Sequence, residues 1–402
     1  MNKRDSMTEV ARSVVNKKVA EGASKRVSEA AQKKDKFSAW KVTLAAILAV
    51  LNVTALAFAA PAPSVSEWES TLAAAKKEGK VVVITDVTAA LRDALTVEFQ
   101  KKYGIPVELF GILGRELAPR VLSERKAGQY NWDVYIHGST TALVSMIPAG
   151  AFDPLEPAFI SPDIKDPKTW RGGAIEFLDP ATKTVMVMTP FQRGTLFYNT
   201  KLVNPKEFKS YKDLLDPKWK GKLLVDDPRR AGPGDATFTF FLLHPGLGPD
   251  FIRALGKQQL TLSRDYAQEV DALGQGKYPV LIGTADFAAN SRAKQGVPIA
   301  TVDARQLKEG SDLSPANGNV AMFNRAPNPN AAKIYINWLL SKEGQTLYAR
   351  VNGYISSRLD VPTDHVEPWR VPLPGAIKSY TKAAMEVKNH DLKPLLQEVF
   401  GK

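Results

Sequence analysis

None of the 402 residues is cysteine, and only four are histidine, at 137, 244, 365 and 390. The first absence removes disulfide frameworks, thiolate metal ligands and thiol nucleophiles together. The second leaves little for acid–base or metal chemistry by imidazole. Neither a Gly-x-Ser-x-Gly elbow nor a His-Glu-x-x-His helix occurs, and the histidines stand in unrelated contexts, so a hydrolase has no nucleophile–base pair to build on. An exported enzyme is therefore a rival class that lacks a motif. Beyond residue 60 there is also no concentrated Lys/Arg–aromatic stretch, which argues against a nucleic-acid partner.

What is present reads as a folded, exported chain. Hydrophobic residues make up 44% and charged residues 24%, ordinary values for a globular protein. Residues 1–41 form a basic leader with no aromatic before Phe37. The composition then changes abruptly at Val42, and residues 42–60 are nearly all Ala, Leu, Val and Ile, closing on Ala57-Phe58-Ala59 ahead of the Pro61-Ala62-Pro63-Ser64 linker. Basic region, apolar region and small-x-small site, in that order, read as a secretory signal peptide. The basic region is long for a signal and the apolar run is near the length that spans a bilayer, so an uncleaved membrane anchor is the alternative, and an earlier-than-true start codon another. In either case Lys36 and Lys41 flank the run on its N-terminal side only, placing the remainder in the periplasm.

The formal charge of +12 is shared between the two regions: residues 1–60 hold 11 Lys/Arg against 5 Asp/Glu, leaving 43 against 37 in the rest. That excess suits an anionic ligand and equally suits a solvated basic surface. The exported part, roughly 340 residues, is larger than one hydrophobic core usually organises, which predicts two lobes.

Strands and helices alternate along it. Glu67 to Lys77 reads as a helix stopped by Gly79, Lys80 to Thr85 as a buried strand, Ala89 to Tyr103 as a helix stopped by Gly104, and Val107 to Phe110 as a strand. This is a βαβ unit with a parallel sheet. Continued alternation predicts lobe 1 over 66–190, lobe 2 over 191–298, a return to lobe 1 over 299–365 and C-terminal helices over 366–402. The turn at Pro190 to Gly194 marks the handover, and recrossing makes a hinge of two or three strands.

The order of motifs is specific. Trp68 precedes Ala73-Ala74-Ala75-Lys76-Lys77-Glu78-Gly79-Lys80, and Phe99 precedes Lys101-Lys102-Tyr103-Gly104-Ile105-Pro106-Val107. Trp132-Asp133-Val134, Tyr198-Asn199-Thr200, Asp216-Pro217-Lys218-Trp219-Lys220-Gly221-Lys222 and Asn337-Trp338-Leu339-Leu340-Ser341-Lys342-Glu343-Gly344-Gln345 follow. The set resembles the extracellular solute-binding proteins of ABC importers, in the subfamily that includes ferric-ion, thiamine, polyamine and phosphonate binders. The resemblance implies a two-lobed α/β type 2 periplasmic-binding fold, each lobe a mixed, mostly parallel sheet flanked by helices. It also implies a monomer with no cofactor that binds a small molecule between the lobes and works with ABC permease and ATPase subunits. A sensor-coupled role is the alternative to transport.

Ferric binders of that subfamily hold iron with one His, one carboxylate and two adjacent tyrosines. Their positions fall here on Thr88, Gly138, Asp286 and Phe287, so the iron set is not retained and a metal binder is the weaker alternative. His137, beside the carboxylate position, is read as a satisfied or surface histidine. The resemblance places the ligand at strand C-termini and helix starts, on loops 85–89, 137–141, 226–235 and 283–290. Thr88, Ser139 and Thr140 offer hydroxyls, with Thr141 beside them. Arg229 and Arg230, with Gly232 in the glycine loop, suit a carboxylate, phosphonate or sulfonate, and a lobe-surface salt bridge is their competing reading. Asp286 and Tyr198 complete the expected binding set, with strand packing as the competing reading for Tyr198. Arg115 is read as a solvated helix-start residue. Trp170, Trp219 and Trp338 are assigned to packing.

Overall fold

Ser66 opens the first helix, Glu67–Glu78, with a reciprocal cap: its hydroxyl accepts from the Glu69 N–H while the Glu69 carboxylate accepts from the Ser66 N–H. Gly79 ends the helix at φ 85°, a left-handed conformation that a Cβ would strain. The computed structural model describes residues 66–85, 89–112, 114–230 and 232–401. The basic leader, the apolar run and Thr88 lie outside the described residues. Among the described residues no helix is long and apolar enough to cross a membrane.

Strand β1 (Val81–Thr85) is buried along its whole length, because it pairs on both sides, with β2 (Val107–Gly111) and β3 (Val134–His137), in parallel register. The sheet continues through β4 (Val185–Val187) and the late strand β12 (Asn319–Met322) in the order β2-β1-β3-β12-β4, β12 running antiparallel to its neighbours. Successive side chains of β1 enter different cores. Val81 and Val83 pack with Phe99, Tyr335 and Trp338, and Val82 and Ile84 with Tyr135, Phe152 and Phe323. A strand covered on both faces needs the continuous apolar run seen in its sequence.

The second sheet has the order β10-β6-β9-β7-β8, from β6 (Leu196–Asn199), β7 (Leu223–Asp226), β8 (Thr261–Ser263), β9 (Val280–Ile282) and β10 (Ile299–Thr301). Between the sheets, β5 (Phe191–Gln192) and β11 (Leu313–Ser314) pair antiparallel as a two-residue ribbon. The expected turn at 190–194 therefore contains a hinge strand.

Two expectations are corrected here. Ile299 does not begin the return to the first lobe: β10 pairs with β6, Ile299 opposite Asn199, and the chain recrosses only at β11. Nor is 366–402 helical throughout. Apart from the single turn Pro368–Arg370, helix begins at Lys382, and the stretch before it runs along the hinge. Ile377 accepts the Leu313 N–H at 2.8 Å, and Leu313 bridges Lys378 in parallel. Leu392, Leu395 and Leu396 then bury themselves in the core of the second sheet, where Arg253 Nε pairs with Glu398 at 2.7 Å. Trp170, Trp219 and Trp338 are buried packing residues.

Candidate ligand-binding site

Topology decides where the two sheets expose their chemistry. In the first sheet the C-terminal end of β3 lies opposite the start of β12, His137 beside Asn319, and the end of β4 lies there too, Val187 beside Asn319. In the second, the ends of β7 and β9 lie beside the start of β6, through the pairs Val225–Ile282 and Leu196–Ile282. β4 leads into the hinge and β6 leaves it, so both sheets turn the C-terminal ends of their parallel strands toward the hinge. That end of an open α/β sheet is where ligands bind.

The wall from the first sheet is formed by residues 137–141 and 315–319. His137 is buried, donating from Nε2 to Ile112 O at 3.0 Å and accepting the Gly138 N–H on Nδ1 at 2.8 Å, so both ring nitrogens are occupied. Asn319 donates to His137 O at 2.7 Å and to Ser139 Oγ at 3.3 Å. Ser139 is thereby tied inward, whereas Thr140 is exposed and its hydroxyl has no partner among the described residues. Thr141 reaches Gly114 O at 3.5 Å. Gly138 leaves space that the Asn317 carboxamide borders, 3.1 Å from where a Cβ would stand.

The wall from the second sheet carries a different arrangement from the one the Arg pair suggested. Asp227 is buried, and Arg229 donates to it from Nε and Nη2 at 2.8 and 2.9 Å while its Nη1 reaches Phe400 O at 3.1 Å. Arg264 adds a third bond to Asp227 at 2.8 Å. Burial pushes the Asp227 carboxyl up, but the Arg229 and Arg264 bonds outweigh it and hold it at about 2. Arg229 and Asp227 line a groove of about 550 Å³ with Tyr278, along the edge strand β8, and this is the ion-pair role. Arg230 is exposed, without an ion pair among the described residues.

Behind that loop lies a carboxyl pair. Asp226, at the end of β7, accepts the Gly234 N–H at 2.7 Å, and Glu269 accepts from Thr284 Oγ1 at 2.6 Å. Burial pushes Asp226 up to about 6 and Glu269 up to about 7, and the charge of Asp226 adds to the rise of Glu269. Gly234 must be glycine: a Cβ there would stand 2.1 Å from Asp226 O. Gly232 faces the same carboxylate and the Tyr266 hydroxyl, 3.4 and 2.9 Å from its Cβ position.

The floor is the hinge. Arg193 Nε lies 3.1 and 3.2 Å from the Asp312 carboxylate oxygens, and Nη2 donates to Thr237 Oγ1 at 2.8 Å and Pro233 O at 3.2 Å. Asp286 accepts from the Gly194 N–H at 3.1 Å and from Arg370 Nη2 at 2.7 Å. Tyr198 stands in β6, half-buried against the second core, away from these groups.

Of the expected site residues, Thr140, Arg230, Gly232 and Asp286 sit on the loops at the hinge end, Ser139 is tied behind them, and Arg229 and Tyr198 are engaged elsewhere. Arg193, Asp312, Arg370 and the Asp226–Glu269 pair were not anticipated. An arginine immediately before glycine at the lobe handover is the one local signal that could have marked Arg193. The others depend on contacts between distant segments. Among the described residues no group of three His, Asp or Glu side chains could hold a metal ion.

The sequence profile of the family described as bacterial extracellular solute-binding protein matches residues 94–372. An uncharacterized protein of Haemophilus influenzae is 26% identical over 288 residues, 68% of this chain and 76% of its own length. In structure, the ferric iron-binding protein A of Mannheimia haemolytica in an open conformation is similar over 80% of this chain and 98% of its own, with 18% identity and a TM-score of 0.64. The periplasmic binding protein AfuA of Actinobacillus pleuropneumoniae, with fructose 6-phosphate bound, is similar over 80% of this chain and 97% of its own, with 19% identity and a TM-score of 0.54. Fold and profile agree: the chain belongs to the bacterial extracellular solute-binding proteins, type 2 periplasmic-binding proteins that serve ABC importers by capturing the ligand.

Proposed function

We propose that this protein captures a small, polar, anionic organic ligand in the periplasm, between its two sheets, and presents the closed form to an ABC permease. The observation that carries the reading is the convergence of both sets of strand ends on one hinge, with uncommitted polar groups on each side: Thr140 on the first wall, Arg230 on the second. Thr88 and Gly232 are further proposed contacts. Among the described residues no hydrogen bond or ion pair joins loop 138–141 to loops 226–235 or 283–290, so a ligand that touches both supplies the bridge. Its extra contacts in the closed form shift the population toward closure, and no covalent chemistry is needed.

Thermal unfolding of the protein with a panel of organic anions, polyamines, thiamine, sugars and ferric citrate tests this, since a ligand that binds only the native state raises the midpoint. Protection by an anion, lost on placing tryptophan at Thr140, is the expected result. Protection only by uncharged compounds or polyamines would reject the anionic ligand. Ferric iron is the second reading, favoured by the relative from Mannheimia haemolytica. Against it, Thr88, Gly138 and Phe287 offer no ligand of the ferric set, and the carboxylate of Asp286 is already paired with Arg370. A visible charge-transfer band on adding ferric ion would establish that reading.

A further inference from the structure

The floor of the cleft contains a buried cation whose bonding is incomplete. Arg193 is 7% exposed. Four bonds fix Nε and Nη2, but Nη1 has no hydrogen bond to any described residue. A guanidinium carries five N–H donors and stays charged, so the Nη1 edge keeps donors that the protein does not use. Backbone without side chains lies beside it: Gly283, in the left-handed region at φ 79°, would place a Cβ 2.9 Å from Gly234 Cα and 3.1 Å from Thr237 Oγ1, the group that holds Nη2.

We infer that Arg193 is the ligand-reading residue of the cleft floor, its Nη1 edge donating to a carboxylate or phosphate oxygen of the captured molecule. The inference rests on the cleft reading above. An oxyanion is favoured over a neutral acceptor because hydrogen bonds from a guanidinium to a charged oxygen are the stronger ones. Because the guanidinium is already fixed, little side-chain freedom is lost when the ligand arrives. Its position at the hinge lets the oxyanion dock before the walls close.

Calorimetric titration of the full chain with citrate, inorganic phosphate and fructose 6-phosphate, beside fructose, thiamine and putrescine as non-oxyanion probes, tests the inference. At least one oxyanion binds, Arg193→Lys weakens it by about tenfold or more because lysine lacks the planar fork, and Thr140→Trp abolishes it. In arginine-selective 15N spectra of the unmutated chain the Arg193 side-chain signal moves on adding the same oxyanion, a measurement that stands if Arg193→Lys fails to fold. An oxyanion that Thr140→Trp excludes but that Arg193→Lys binds equally overturns the role of Arg193 and leaves the cleft reading intact. Binding of only fructose, thiamine or putrescine overturns the role of Arg193 and the anionic ligand, and leaves capture between the sheets standing. A chain that binds none of the six overturns both.

Discussion

Arg229 and Asp227 face each other two residues apart in sequence, guanidinium to carboxylate through two bonds of 2.8 and 2.9 Å. The pair closes the loop after β7 upon itself and, through Nη1, fastens the last turn of the chain. Arg229→Ala is therefore expected to lower stability by about 1–2 kcal/mol, since Arg264 still satisfies part of Asp227, and to leave ligand affinity unchanged. Urea denaturation beside titration with the protective ligand separates the two effects. A loss of affinity at unchanged stability would return Arg229 to the binding set.

Asp226 and Glu269 make stability depend on pH in a direction unusual for carboxylates. Both titrate above the ordinary value of about 4, so the native chain holds more protons than the unfolded chain in between. The contribution is fully present below about pH 4 and is lost as pH rises through about 6 and about 7, to a total on the order of a few kcal/mol. Glu269→Gln keeps an acceptor for Thr284 and supplies a permanent donor to Asp226, so its denaturation midpoint should change less between about pH 5 and about pH 8 than that of the parent. Equal slopes would show that the pair does not carry the dependence.

Gly234→Ala drives a methyl group into the Asp226 backbone, 2.1 Å from its carbonyl oxygen and 2.8 Å from its carbonyl carbon. A destabilisation of about 1–3 kcal/mol is expected, read as a lower melting temperature. Wild-type melting would mean that the loop relaxes freely.

At the hinge, Asp312 is fully buried against Arg193. Asp312→Ala strands a buried cation and should cost about 3–5 kcal/mol, observed in urea denaturation. A cost near zero would mean that water replaces the carboxylate.

The layered fold was legible because its signals are local. Glycines stop helices at Gly79 and Gly104, and the run Val81–Thr85 can only be a strand buried on both faces. The first crossing was legible at the Pro190 to Gly194 turn, but the strands that make it were not, since β5 and β11 are two residues each and show no periodicity. The boundary at 299 failed because membership of a sheet is set by pairing, and β10 finds its partner in β6, a hundred residues earlier in the chain. For the site, Arg229 and Arg230 were read as ligand contacts or as members of a salt bridge, and which arginine is spent on Asp227 depends on how the loop folds back. Arg193 looked like part of a turn, and its burial comes from Asp312 and Thr237, which are distant in sequence.

The segment at 377–378 lies against β11 as a third thread through the hinge, and Arg370 ties the same stretch to Asp286. Two crossing strands alone would be a ribbon, as free to bend as to twist. A third thread, anchored beyond the hinge by Leu392 and its neighbours, makes the connection between the two sheets a three-stranded one. Under the capture proposed above, closure would have to turn all three threads together, and the angle they reach is what a membrane partner would read.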